Sequence, residues 1–366
     1  MKKSKLICVL FVALLFGTAI AQLLLPDAAL SRSERRKLAQ RPGFSLATLA
    51  DPDYGADLED YLLDQFPLRD ELRTMKAVFR TRVLCQADNN GYYLAGDSLC
   101  KLDAPLQEKQ VLYGANKVKT LYETYLRGMN VHYAVIPDKG YYAAPMTGRP
   151  ALLDYDRLLS LLRDNLPAEI GEISLFDRLE LDSYYRTDTH WQQEHIFPAA
   201  SALTEGLGAG ALTLTPKDYT AHSLSPFYGV YYGQAALPVA PDDLHYLTHP
   251  ITDGAVVTGA EFDGTLPVYT TEKFQGLDGY DVFLNGAQAV LTIENPAADS
   301  DRELLLFRDS FGSSIAPLLL ERYAKITLID LRYINSQLLP EYVDFQKQDV
   351  LFLYSASLWN SAMLLK

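Results

Sequence analysis

The stretch Leu304–Leu331, LLLFRDSFGSSIAPLLLERYAKITLIDL, reads as strand, turn, helix and second strand. Leu304 to Phe307 is an unbroken apolar run of strand length, the pattern of a strand buried on both faces. Ser314 to Tyr323 reads as helix, and Ile326 to Leu331 as the next buried strand. A strand–helix–strand passage with short connections makes its strands parallel, within an α/β sheet. Ser310 falls between the first strand and the helix, at the carboxyl end of that sheet, where α/β proteins hold ligands. It is also close to a helix amino terminus, whose N–H groups can stabilise an oxyanion. Gly312 allows a tight turn there. The same letters also suit a plainer role, with Ser310, Ser313 or Ser314 as an ordinary helix N-cap.

Outward from this stretch the alternation continues. Val350–Tyr354 and Val131–Ile136 read as further strands, and Ile173–Phe176 as a short one. Helices are expected over Leu106–Leu126, Tyr155–Leu166 and Gln192–Leu207. Residues 208–280 are rich in Gly, Pro, Thr, Tyr and Asp and lack long periodic runs, so they read as an insertion of loops and irregular strands. The expected domain spans residues 105–366. Before it, residues 26–104 form a linker and helical lead-in. There Leu58, Leu62 and Phe66 recur at helical spacing, Pro67 interrupts, and Leu72, Met75, Phe79 and Val83 resume the period.

Residues 1–25 set the expected compartment. Lys2, Lys3 and Lys5 precede an apolar run from Leu6 to Leu25, about long enough to span a bilayer. Ala19-Ile20-Ala21 also suits signal-peptide cleavage. A signal peptide and a membrane anchor both send the remainder outside the cytoplasm. The 366 residues carry a formal net charge of -13, which disfavours nucleic acid as a partner. Of the 3 cysteines, Cys8 lies in the apolar run. Cys85 and Cys100 flank the turn signal Asn89-Asn90-Gly91, so a hairpin could bridge them, or both could be thiols.

The chemistry is concentrated in two clusters. The first is Tyr184-Tyr185-Arg186-Thr187-Asp188-Thr189-His190-Trp191. On an extended segment Asp188 and His190 point to one side, so the carboxylate can hold the imidazole Nδ1–H and leave Nε2 to accept a proton. The second is Arg308-Asp309-Ser310-Phe311-Gly312. A serine hydroxyl is a poor nucleophile until a base takes its proton, and this chain offers a base already paired with an acid. The order Asp, His, Ser and the lack of a G-x-S-x-G elbow set it apart from α/β-hydrolases. Metal sites fit less well. His190, Glu194 and His195 lack the H-E-x-x-H spacing. His245 and His249, with Asp242 and Asp243 nearby, are separated from a shared helical face by Pro250.

These clusters resemble the paired motifs of the DHHW family, which is similar to the SGNH-hydrolase-like domains of alginate O-acetyltransferases. Ser33–Ala39, Asp64–Asp70, Pro137-Asp138-Lys139, Phe227-Tyr228-Gly229 and Ile293-Glu294-Asn295 also match in order. The family name reflects Asp-His-His-Trp, and this chain has Thr189 at the second position. The resemblance implies a three-layer α/β domain with a mostly parallel sheet. It implies Ser310 as nucleophile, His190 as base and Asp188 as its orienter. Trp191 and Arg308 within the motifs, with Lys139 and Tyr228, are the substrate-binding candidates. The implied reaction is O-acetyl transfer to a cell-surface or secreted polysaccharide. No cofactor is expected. With no Gly-rich nucleotide loop, the acetyl group would come from a membrane-bound acyltransferase. An esterase, or a polysaccharide-binding or assembly module without catalysis, would suit the same fold.

Overall fold

The computed structural model describes residues 2–49, 51–102, 104–148 and 151–366. The chain divides into two compact units: residues up to Asn90 with Tyr232–Pro238, and Gly91–Tyr231 with Val239–Lys366.

The larger unit is built on an eight-stranded sheet. Its strands, in chain order, are β1 (Asn130–Ile136), β2 (Gly171–Glu172), β3 (Val256–Gly259), β4 (Phe262–Leu266), β5 (Val290–Glu294), β6 (Glu303–Arg308), β7 (Lys325–Ile329) and β8 (Asp349–Ser355). They lie in the order β4-β3-β5-β7-β6-β8-β1-β2. The run from β7 to β2 is parallel throughout. On the other side β5, β3 and β4 extend it with antiparallel pairing.

Side-chain alternation along the central strands divides the core into two layers. Ala134, Ile136, Leu304, Leu306, Leu351 and Leu353 face one way, into a cluster with the helices Phe197–Gly206 and Gly312–Leu319. Val131, Tyr133, Leu305, Phe307, Val350 and Phe352 face the other, against the helices Glu108–Leu121 and Tyr155–Asn165. Strands with both faces covered carry apolar side chains on both, which is why these runs do not alternate in the sequence.

Several expectations change in detail. The expected strand Ile173–Phe176 is a two-residue strand just before it, and Ile173 N–H donates to the Tyr133 carbonyl at 2.9 Å. Residues 208–280 hold strands as well as loops, as expected, but not as a separate insertion throughout. They supply β3 and β4 to the sheet edge and a separate hairpin, Thr220–Phe227 with Asp242–Thr248. A further hairpin pairs Tyr92–Ala95 with Ser98–Lys101. It sets Cys100 opposite Tyr93, turning at Gly96-Asp97 rather than at Asn89-Asn90-Gly91. Cys85 is an exposed thiol and Cys100 a buried one.

In the smaller unit the apolar amino terminus is a single exposed helix, Lys2–Leu24, with Lys3–Leu24 long and apolar enough to cross a membrane. The stretch with helical spacing forms the helices Tyr54–Asp64 and Arg69–Val78, broken at Pro67 as expected, and the latter ends in a π-helical turn, Phe79–Val83.

Candidate active site

Ser310 sits on the turn that joins β6 to the helix Gly312–Leu319. Asp309 fixes this turn. One of its carboxylate oxygens accepts from Phe311 N–H at 3.1 Å, and the other from Ser355 N–H at 2.8 Å, at the end of β8. Gly312 N–H and Ser313 N–H then donate to the Asp309 and Ser310 carbonyls. Glycine is needed at 312, where an added Cβ would lie 2.6 Å from the Arg308 Cβ. Ser310 is half-buried, on a turn whose neighbours Asp309, Phe311 and Gly312 are all buried.

Asp188 and His190 lie at the tip of a tight loop rather than on an extended segment. Tyr184 bridges Trp191 in antiparallel fashion, and Tyr185 N–H donates to the His190 carbonyl at 3.0 Å. His190 N–H donates to Asp188 Oδ1 at 3.0 Å, the turn that short acidic side chains form with the backbone two residues on. That turn, not strand pleating, brings the i and i+2 side chains together. Asp188 Oδ2 accepts from Val230 N–H at 2.7 Å. Gly229 packs so closely that a Cβ there would lie 2.3 Å from the Thr187 carbonyl oxygen and 2.4 Å from Asp188 Cβ. The loop is anchored from below by Asp242, whose carboxylate accepts from the backbone N–H of Arg186 and Thr187 and from the Thr187 hydroxyl.

The two elements meet at the imidazole. His190 Nδ1 is 2.6 Å from Asp188 Oδ1, and His190 Nε2 is 2.7 Å from Ser310 Oγ. The carboxylate holds the Nδ1–H tautomer, so Nε2 is the acceptor for the serine proton. Asp188 is fully buried and His190 nearly so, leaving Ser310 as the reachable end of the line. Tyr280 stacks flat on the imidazole, with ring centroids 3.9 Å apart and planes at 9°. Its hydroxyl donates to Ser314 Oγ at 2.7 Å, and Ser314 also accepts from Trp191 Nε1–H at 2.8 Å. Phe311 lies against His190 and Trp191. Such an array can take a proton from the hydroxyl, hold the resulting imidazolium against a carboxylate, and return the proton to a leaving group.

The other expected site residues are placed differently. Trp191 is fully buried, and its indole N–H donates to Ser314 Oγ. Lys139 is buried too: its ammonium donates to the carbonyls of Leu99, Tyr185, Arg186 and Asp188 at 2.6–3.2 Å, clamping the base of the Asp188 loop. Burial pushes its pKa down to about 8, against the pull of Asp242 and Asp188. Arg308 is 1% exposed. Its nearest partners are the Asp309 carbonyl at 3.4 Å and Asp330 at 3.8 Å, and Asp330 is itself bound in bidentate fashion by Arg332. Burial lowers the Arg308 pKa, with Asp330 opposing. All three side chains are buried within the protein rather than exposed beside Ser310, and motif spacing says nothing of which way a buried side chain points. Tyr228 is half-buried beside Gly229 and is the one candidate of this group within reach of solvent.

The histidines considered for metal are otherwise engaged. His245 pairs with Glu194, His195 Nδ1 meets the Asp182 carbonyl, and His249 Nδ1 accepts from Ile251 N–H. Among the described residues no group of three or more His, Cys, Asp or Glu could hold a metal ion. Sequence reasoning missed Tyr280, Gly229 and the anchoring role of Asp242. Only Gly229 carried a signal, through the Phe227-Tyr228-Gly229 match.

No curated protein matches this sequence. Among solved structures, a DHHW family protein from Eubacterium siraeum DSM 15702 matches at TM-score 0.62 and 20% identity, over 76% of this chain and 97% of its own. Bacillus cereus PatB1 matches at TM-score 0.58 and 18% identity, over 73% and 96%. The same protein with a sulfonyl adduct matches at 0.56 and 19%, over 72% and 95%. At these identities the likeness is one of fold, and the expected α/β domain with a mostly parallel sheet is borne out. The DHHW family model matches residues 167–329, a stretch that contains both Asp188-Thr189-His190-Trp191 and Arg308-Asp309-Ser310-Phe311, and so bears out the resemblance to the DHHW family.

Proposed function

We propose that this protein is a serine-dependent O-acyltransferase that moves an acetyl group onto hydroxyls of a cell-surface or secreted polysaccharide outside the cytoplasm. The observation that carries the reading is the unbroken line Asp188 Oδ1, His190, Ser310 Oγ, with links of 2.6 and 2.7 Å across 120 residues of sequence. The resemblance to the DHHW family and to alginate O-acetyltransferase domains supports acetyl as the group and a polysaccharide as the acceptor. The apolar helix Lys3–Leu24, as signal or anchor, supports the location.

The reaction has two balanced halves. Ser310 Oγ attacks the donor's acyl carbon while its proton passes to His190 Nε2. The donor oxygen or sulfur then leaves with that proton, and Ser310 holds the acyl group as an ester. In the second half an acceptor hydroxyl gives its proton to His190 Nε2 and attacks the ester. Ser310 Oγ leaves and recovers the proton. Asp188 stays ionised and steadies the imidazolium in both halves. A membrane-bound acyltransferase is the proposed donor partner.

Bacillus cereus PatB1 carries a sulfonyl adduct in one of its structures, and the same reagent class suits a first test: a sulfonyl fluoride should modify Ser310. The deciding experiment supplies an activated acetyl ester with and without an oligosaccharide. Acetylated oligosaccharide formed faster than free acetate supports the transferase. Free acetate alone at every oligosaccharide concentration makes the protein an esterase. No ester consumption by wild type leaves a binding or assembly module as the better reading.

A further inference from the structure

In the smaller unit a stripe of apolar side chains is exposed among the described residues. On the second helix and its π-helical end, Leu72, Met75, Phe79 and Val83 are all exposed and recur at intervals of three and four, so they share one face. On the helix Tyr54–Asp64 and the residues just after it, Leu62, Leu63 and Phe66 are likewise exposed. With Gln22, Gly55, Leu58 and Glu59, those three line a shallow apolar hollow of about 400 Å³. The opposite faces are occupied. Ala77 is fully buried, Tyr61 is buried with its hydroxyl donating to Asp27, and Asp64 pairs with Arg36. Helical spacing puts Asp57 and Asp60 on the same side as Asp64, away from the apolar stripe.

Two observations say what covers it. The first is continuity with the long apolar helix. Gln22, two residues from the end of Lys3–Leu24, donates from Nε2 to the Leu62 carbonyl at 2.9 Å. Gln65 exchanges two hydrogen bonds with the backbone of Ala28, each 2.9 Å. The stripe therefore starts where the apolar helix stops. A helix of 22 residues rises about 33 Å, close to the hydrocarbon thickness of a bilayer, so its end falls at the membrane surface. The second is charge. Lys76, Arg80 and Arg82 border the stripe on the second helix, as in helices that lie in the interface of an anionic membrane.

We infer that the helices Tyr54–Asp64 and Arg69–Val83 lie on the lipid bilayer, with Leu62, Phe66, Leu72, Met75, Phe79 and Val83 dipping into its surface beside the membrane-crossing helix. The inference rests on Lys3–Leu24 being a retained anchor. It gives the anchored protein a second, interfacial contact with lipid, seating the smaller unit on the membrane.

The test uses the full chain in vesicles of phosphatidylcholine and phosphatidylglycerol. An environment-sensitive fluorophore is attached at single cysteines in a Cys8→Ser, Cys85→Ser background, which itself reports any labelling of buried Cys100. Met75→Cys and Phe79→Cys probe the stripe, and Asp57→Cys and Asp60→Cys the opposite side. Native Cys8, labelled in a Cys85→Ser chain, probes the anchor. Lipids bearing a shallow spin label should quench the stripe positions several-fold more than positions 57 and 60, with a blue-shifted emission. Quenching at Cys8 with water-like emission at 75 and 79 overturns the inference while leaving the anchor intact. A stripe shielded from lipid that cross-links between copies overturns it in favour of a self-association face. No quenching at Cys8 removes the anchor and the inference together.

Discussion

The ring of Tyr280 lies flat on the imidazole of His190, 3.9 Å from centroid to centroid, and its hydroxyl is fixed on Ser314. Burial keeps that phenol neutral by raising its pKa well beyond the ordinary range, with the Ser314 bond opposing. Asp188 sets which imidazole nitrogen carries the proton, and Tyr280 sets the plane of the ring. An aromatic contact of this kind contributes ~0.5–1.5 kcal/mol. Tyr280→Phe should keep most acyl-transfer activity, because the stack survives and Ser314 still accepts from Trp191. Tyr280→Ala should lose roughly two- to tenfold or more. Steady-state rates of both variants check this. Equal losses would assign the effect to the hydroxyl.

Asp188→Asn should leave the loop folded at a modest cost in stability, since its single amide oxygen can still accept from either His190 N–H or Val230 N–H, though not from both. It should lower the rate by on the order of 10⁴-fold, the scale expected when a triad carboxylate becomes an amide that cannot steady the imidazolium. Circular dichroism and single-turnover kinetics on the same preparation separate fold from chemistry. A small rate effect would remove Asp188 from the proposed mechanism.

Gly229→Ala should damage the site without touching any reacting group. Its Cβ would meet the Thr187 carbonyl and the Asp188 Cβ, neither of which is a flexible side-chain end. Overpacking of this sort costs about 1–3 kcal/mol. Because Val230 N–H holds Asp188 Oδ2, the shift should also lower activity. Denaturant unfolding and rate measurements together check it. Wild-type values for both would contradict the packing described.

Lys139 is a structural cation. Lys139→Met strips a donor from four buried carbonyls and should cost at least about 2 kcal/mol at neutral pH. The folded chain holds the Lys139 proton less tightly than the unfolded chain, with a pKa of about 8 against 10.5. The cost of keeping that charge buried is full below pH 8 and is relieved as pH climbs toward 10.5. The stability of wild type relative to Lys139→Met should therefore be level below pH 8 and rise between about 8 and 10.5. Unfolding curves across that range check the sign, and a falling difference would contradict it.

The parts of the fold that could be read from sequence are those where burial is total. Val131–Ile136, Leu304–Phe307, Ile326–Leu331 and Val350–Tyr354 carry apolar side chains on both faces, so they are mostly apolar, broken only by His132, Thr327 and Asp330. Within residues 208–280 the bounds of β3 and β4 could not be read, because both strands are short and glycine ends the first at Gly259 and interrupts the second at Gly264. Asp188, His190 and Ser310 were legible from residue type and position, although the reason first given for the Asp188–His190 pairing, an extended backbone, differs from the turn that produces it. Trp191, Lys139 and Arg308 lie in the expected stretches but point inward, a matter decided by tertiary packing. Tyr280 had no local signal. A single aromatic in a Gly- and Asp-rich segment acquires its role only when the chain returns it to the imidazole.

The central claim is that Ser310 becomes the acyl carrier with His190 as its base. It is tested most directly by quenching the protein with acid shortly after mixing with an activated acetyl ester and mapping the modified peptide by mass spectrometry. One acetyl group on Ser310 in wild type is predicted, with none on Ser310→Ala and a much slower appearance on His190→Ala. Acetylation at another residue, or equal labelling of Ser310 with and without His190, would contradict the account.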